Sequence, residues 1–220
     1  IAFSSTPKIN LEHIRDKLQK AINGPINAIE ETPKTTTARN FLFEASLAAR
    51  AHRPNQNINA ILDAPSDTGV KVGNTKLWVE CKRVTSTSKI ETNVRKASKQ
   101  LEAIFKKQQG SGHRGIIALD ITKILNVDDK IFISNSDNQL LLSIDQMMND
   151  FIRNYSHTWQ QVYQKRSNKI IGTVVRFAFM AKSESRNILV YAAQWGLNPK
   201  LGITKSDELV LKQLVSSLNN

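Results

Sequence analysis

A single cysteine, Cys81, occurs among the 220 residues. One thiol excludes an internal disulfide and any cysteine-built zinc site. On the apolar side of a strand it reads as a small buried residue. The four histidines, His13, His52, His113 and His157, are scattered without metal-ligand spacing, which argues against a histidine-built motif. No apolar run approaches the roughly 18 residues that cross a bilayer, so no membrane partner is expected. No phosphate loop ends in Gly-Lys-Ser or Gly-Lys-Thr, and no nucleophile elbow is present. The one Gly-x-Gly-x-x-Gly, in "GSGHRG" (110–115), follows a helical pattern and precedes a strand pattern. A dinucleotide fingerprint has the opposite order. The opening "IAFSSTPKIN" lacks both a secretory apolar segment and an initiator Met. The expectation is a cytoplasmic, intracellular protein with residues missing before Ile1.

Acidic residues are also scarce. Lys and Arg number 31 against 19 Asp and Glu, a net charge of +12. Such an excess fits an anionic partner, nucleic acid or an acidic membrane surface. Apolar residues make up 40% and charged residues 23%, which suffices for one large globular domain or a domain with an extension.

Periodicity orders the chain. "NLEHIRDKLQKAIN" puts Leu11, Ile14, Leu18 and Ile22 on one helical face behind Asn10, and Gly24-Pro25 ends it. "EETPKTTT" reads as a linker. The expected layout is therefore a helical extension and linker over 1–37, then a domain over 38–220 with its core at 38–121. "ARNFLFEASLAARAHR" reads as a helix stopped before Pro54. "INAILDA" (58–64), "GVKV" and "TKLWVECKRV" read as strands, the last two joined across Gly73-Asn74 as a hairpin. Ser88-x-x-Glu91 has the form of a capping box and opens a helix to about Lys107. "GIIALDI" (115–121) reads as a buried strand. Helix, three strands, helix, strand implies an α/β fold with mixed pairing. Beyond it, 141–165 reads as a long helix, "KIIGTVVRFAFMA" and "RNILVYAAQW" as strands, and "SDELVLKQLVSSL" as a closing helix capped by Ser206.

The stretch "LWVECKRV" (77–84) carries the chemistry. Residues two apart in a strand share a face. Trp78, Glu80 and Lys82 then point one way, and Leu77, Val79, Cys81 and Arg83 the other. A carboxylate and an ammonium project side by side from an otherwise apolar strand. Asp67 opens the preceding hairpin in "PSDTGVKV". Glu44 lies in "NFLFEASLAAR", at the margin of that helix's apolar face.

This order of helix Glu, hairpin Asp and strand Glu-x-Lys resembles the PD-(D/E)xK nuclease superfamily, the fold of many restriction endonucleases and Holliday-junction resolvases. The likeness covers about residues 38–120. Ser66-Asp67 stands where the family has Pro-Asp, with Pro65 one position earlier, and Asp63 is an alternative to Asp67. The resemblance implies a restriction-endonuclease-like mixed sheet flanked by helices and a nuclease acting on DNA, with RNA as an alternative substrate. It implies Mg²⁺, replaceable by Mn²⁺, on Asp67, Glu80 and the backbone carbonyl of Cys81. Lys82 would assist the attacking water, and Glu44 would hold a second metal or a metal-bound water. A homodimer would suit double-strand cutting. The rival expectation is a module of the same fold that binds nucleic acid or serves assembly without cutting.

Cations cluster accordingly. From Lys71 to Lys107 there are ten basic residues and three acidic. Arg83, Lys89, Arg95, Lys96 and Lys99 follow the candidate site, and Gln100 flanks the helix core stripe. From Arg153 to Lys182 there are six basic residues and no acidic ones, Arg153, Lys165 and Arg166 among them. These are the candidate phosphate contacts. Tyr155, Trp159 and Tyr163 recur at helical spacing, which suits a packed stripe or base stacking.

Overall fold

The computed structural model describes residues 36–61, 63–108 and 110–220, with Gln19 and Ile22. Most of the extension and linker expected over 1–37 lies outside the described residues. The described chain runs α1 (Thr37–Ala51), β1 (Ile58–Ile61), β2 (Thr68–Val72), β3 (Thr75–Arg83), α2 (Ile90–Lys107) and β4 (His113–Asp120). It continues as α3 (Thr122–Leu125), β5 (Ile131–Ser134), α4 (Asp137–Gln164), β6 (Ile170–Ser183), β7 (Ile188–Pro199) and α5 (Lys205–Asn219). Short 3₁₀ turns occupy Pro54–Gln56 and Thr87–Lys89.

Seven strands form one mixed sheet in the order β1-β2-β3-β4-β6-β5, with β7 also paired to β6. The β1–β2 and β2–β3 pairs are antiparallel. The centre is parallel, β3 to β4 to β6. Gly73 turns the β2–β3 hairpin at φ 57°, a left-handed conformation that glycine adopts without a Cβ clash. Between Gly115 and Ile116 the β4–β6 register shifts by one residue. Such a bulge bends the strand it interrupts.

Both faces are covered, as buried parallel strands require. On one face, Leu77, Val79, Cys81, Ile116 and Ala118 pack against Phe43 and Leu47 of α1 and Leu211 and Leu214 of α5. On the other, Trp78, Ile117 and Leu119 pack against Val94 and Leu101 of α2 and Phe151 and Trp159 of α4. Trp159 and Tyr163 are fully buried, and Phe151 tilts against both Tyr155 and Trp159. The aromatic series of α4 is therefore a packed stripe.

Several local expectations are corrected. Ser88 does not cap α2: the helix begins at Ile90 after a 3₁₀ turn, its start has no side-chain cap bond, and Ser88 Oγ meets Ser86 Oγ at 3.1 Å. Glu91 bonds Arg95 one turn on. The closing helix is capped by Thr204 rather than Ser206, with Thr204 Oγ1 accepting from Asp207 N at 3.1 Å. The first strand ends at Ile61, short of 64. The four-residue elements α3 and β5 are additions.

Gly172 is a tight contact in the sheet. A Cβ there would meet Asn198 O at 2.8 Å and the Cα of Pro199 at 3.0 Å. Both obstacles are backbone and cannot rotate aside. Gly172→Ala is expected to lower stability by about 1–3 kcal/mol, read as a lower urea midpoint at unchanged slope. At Gly112 the nearest atom to an added Cβ is 3.8 Å away. A loss at 172 no larger than that of Gly112→Ala would refute the contact.

Candidate active site

Three segments meet at the end of β3. Its alternation buries Glu80 to 3% exposure on the α2–α4 face, and Lys82 follows on the same side. The loop before β2 brings Asp67 alongside. Ser66 ties that loop down, donating from Oγ to Thr68 O at 2.5 Å and accepting from Val79 N at 3.2 Å. Asp67 Oδ2 then accepts from Cys81 N at 2.8 Å. The serine found where proline was the family pattern thus fixes the position of the aspartate.

Lys82 Nζ sits at the centre. It lies 3.2 Å from Asp67 Oδ2, 3.2 Å from Glu80 Oε2 and 2.9 Å from Cys81 O. These are the three oxygens expected to hold a metal. The ammonium has three N–H groups and three acceptors. The side chain of Lys82 is 13% exposed and that of Asp67 27%.

Burial is the largest influence on the charges of this cluster. Burial, then the charge of Asp67, pushes the Glu80 carboxyl up to about 7, against the pull of Lys82. Burial alone would lower the Lys82 ammonium, but Asp67 and Glu80 outweigh it and hold it above its ordinary value. Lys82 is a donor here, not a base. Burial, then the charges of Asp67 and Glu44, raises the Cys81 thiol well above its ordinary value. Cys81 contributes its carbonyl and its apolar bulk, and its sulfur is a poor nucleophile.

Glu44 lies on α1, which packs on the Cys81 side of the sheet, and it is half-buried. Its charge reaches the Cys81 thiol. Asp63 is exposed in the turn before β2. The structure gathers Asp67, Glu80, Lys82 and the Cys81 carbonyl. Among the described residues no group of three or more His, Cys, Asp or Glu side chains is placed to hold a metal ion. The convergent set here is of another kind: two carboxylates and a main-chain oxygen.

The candidate phosphate contacts separate into groups. Arg83 closes β3, with Nε 3.8 Å from Asp120 Oδ2. Lys89, Lys96 and Lys99 are exposed on and just before α2, and Gln100 is half-buried with its Oε1 lacking a hydrogen bond. Arg95, Lys165 and Arg166 border one cavity of about 150 Å³ between α2 and the end of α4, and Arg166 also bonds Glu102 at 2.9 Å. Arg153 stands apart on the outer side of α4, paired with Asp150 at 3.4 Å.

Sequence reading gave Ser66 no bonding role and did not place Arg83 in a polar row on the α1 face. Arg83, Asp120, Arg176 and Trp195 are register partners across β3, β4, β6 and β7. The signal was present: a lone arginine in "IIGTVVRFAFMA" and an aspartate closing "GIIALD" are polar residues in runs otherwise fit for burial.

Comparison with models of protein families, with curated proteins and with solved structures finds no match. No helix among the described residues is long and apolar enough to cross a membrane.

A pH signature follows from Glu80. Its carboxyl rises from 4.5 to about 7 on folding. Between those values the folded chain keeps a proton that the unfolded chain has lost, so stability falls as pH rises. The cost at pH 8 is on the order of 3 kcal/mol. In EDTA, Glu80→Gln is expected to be more stable than wild type at pH 8 and close to it at pH 4.5, measured by urea unfolding. An equal effect of the variant at both pH values would refute the assignment.

Proposed function

We propose that the chain is a metal-dependent nuclease with a restriction-endonuclease-like fold, hydrolysing phosphodiester bonds in DNA. One observation carries the reading: Asp67 Oδ2, Glu80 Oε2 and Cys81 O converge on a single cationic nitrogen at 2.9–3.2 Å. Oxygen donors of this kind suit Mg²⁺, which is held by one or two carboxylates and keeps several waters. The Glu80 carboxyl, raised by burial first and by Asp67 second, would give up its proton more readily beside a divalent cation. Asp67, Glu80 and the Cys81 carbonyl would hold the ion, with Mn²⁺ as a substitute and Glu44 near a second ion or its water.

When bound, Mg²⁺ supplies charge to the phosphoryl oxygens and acidifies a water. The chain's own residues do the rest. Lys82, kept protonated by its two carboxylates, donates hydrogen bonds that orient the attacking water and offset charge developing on the phosphate. Asp67 is fixed through Ser66 and the Cys81 amide, so its carboxylate is positioned before substrate arrives. The side chains of Lys82 and Asp67 keep part of their surface exposed, where a phosphodiester could meet them. A net charge of +12 draws a polyanion toward it. Cutting both strands of a duplex takes two such sites, which two copies would supply.

Lys82 itself favours a second reading. Its ammonium lies where the metal would sit. A permanent internal cation would make the domain a nucleic-acid-binding or assembly module that does not cut.

Cleavage separates the two. Supercoiled, linear and single-stranded DNA, and a matched RNA, are incubated with Mg²⁺, with Mn²⁺ and with EDTA. Cutting is expected only with metal. Lys82→Ala is expected to slow it by about 10²-fold or more, while retardation of DNA in gels persists. Retardation without cutting in any metal would leave the binding module.

A further inference from the structure

A second cleft opens on the opposite face of the sheet from Glu80, with a volume of about 930 Å³. It lies between α1, the ends of β3 and β4, and the α3 turn, and is bounded by β6 and Tyr191 of β7. β3 and β4 run parallel and end here at Arg83 and Asp120, while β6 passes beside them at Arg176 and continues to Ser183. Open α/β sheets place ligands in the crevice beyond such carboxyl ends.

The lining is cationic. Arg39, Arg83, Lys123, Lys130 and Arg176 face two carboxylates, Asp120 and Asp129. Both carboxylates have internal duties. Asp120 Oδ2 accepts from Arg176 at 2.8 Å, and Asp120 Oδ1 from Thr122 N at 3.0 Å. Asp129 accepts from Lys123 at 2.6 Å. Lys130 reaches Asp128 at 2.9 Å in a solvent-exposed pair, of the kind that contributes little. The cleft therefore carries excess positive charge after its own acids are counted.

Arg176 is the built element. It is 7% exposed, and its Nε has no hydrogen-bond partner among the described residues. Its guanidinium lies 5.6 Å from the Phe43 ring and 6.0 Å from the Trp195 ring. Phe43 and Trp195 stack on each other at 6.0 Å. Nη2 donates to Tyr191 Oη at 2.8 Å, and Tyr191 is 62% exposed. A guanidinium locked by two rings and a carboxylate is preorganised for phosphate, and an exposed tyrosine beside it offers a face for a base.

We propose that this cleft binds a nucleoside phosphate, with its phosphate toward Arg176 and Lys123 and its base against Tyr191. The volume suits the size, since small-ligand sites run to about 300–1,000 Å³. Arg83, on its rim, is the residue after Lys82, and the two side chains leave opposite faces of β3. A strand passing the end of β3 can meet both. The role as a grip on the substrate strand rests on the nuclease reading; the binding does not.

Calorimetry with the wild-type chain in EDTA, where cutting is stopped, tests the binding alone. The probes are 5′-phosphorylated trithymidylate, unphosphorylated trithymidylate, thymidine monophosphate and inorganic phosphate. The phosphorylated trinucleotide is expected to bind at least tenfold tighter than the unphosphorylated one. Lys123→Glu and Tyr191→Ala, both at accessible positions, are each expected to weaken it about tenfold, and Lys212→Ala, at an exposed position on α5, less than twofold. Equal affinity for the monophosphate and the trinucleotide assigns the cleft to free nucleotide, and a clear preference for the trinucleotide assigns it to substrate strand. Absence of binding by every phosphate probe, or affinity untouched by both cleft variants, overturns the proposal. Binding without metal-dependent cutting counts against the nuclease reading and leaves the cleft standing; cutting without this binding does the reverse.

Discussion

The ammonium of Lys82, held by Asp67, Glu80 and the Cys81 carbonyl, is what allows two carboxylates to share the end of a central strand. Burying ionised groups without a partner is costly. Glu80 shows the strain directly, since even with Lys82 alongside its carboxyl is pushed up to about 7. The surrounding structure follows from this clasp. Ser66 spends both its donor and its acceptor capacity on backbone, and Asp67 takes up the Cys81 amide. The loop before β2 is therefore bonded to β3 at several points, and none of these bonds exists for packing alone.

The two faces of the sheet divide the polar work by the period of a strand. Even-numbered Glu80 and Lys82 leave β3 on the α2 side. Arg83 leaves on the α1 side and begins a row through Asp120 and Arg176 to Trp195. Because β3, β4 and β6 are parallel and in register at Arg83, Asp120 and Arg176, the row sits at one level below the cleft. Helix α1 serves both sites. Phe43 meets the Arg176 guanidinium, while the next residue, Glu44, acts on Cys81. One helical turn thus spans the distance between a phosphate-binding cleft and a carboxylate cluster.

Much of the frame was legible because local pattern and tertiary burial agree. The Gly73-Asn74 turn, the stripe of α2 and the buried run of β4 each have one reading. The alternation of "LWVECKRV" placed Glu80 and Lys82 together, and the fold brought Asp67 to them. Failures came where a local signal met a competitor. Ser88 had capping chemistry, but a 3₁₀ turn moved the helix start past it. Thr204 took the role expected of Ser206 because the helix begins two residues sooner. Strand β5 has four residues, two of them exposed, too short for periodicity to register. Surface cations were the least legible. Arg153 and Arg95 read alike in sequence, yet one pairs with Asp150 on the exposed side of α4 and the other shares a cavity with Lys165 and Arg166. Composition gives the number of charges, and only the packing of α2 against α4 decides which of them meet.

On the nuclease reading, the clasp also sets the terms on which a metal would be held. Asp67, Glu80 and the Cys81 carbonyl would hold the ion, and all three already face Lys82 Nζ. An ion there would compete with the ammonium for the same oxygens. Lys82 neutralises the carboxylates and ties the hairpin loop to β3. Were the oxygens taken up by an ion, the same ammonium would be left to face solvent and phosphate. The residue that stabilises the cluster would then be the residue turned toward substrate. Such an exchange would suit a lysine, a flexible point charge, better than an arginine, whose planar fork would be bound to one carboxylate geometry.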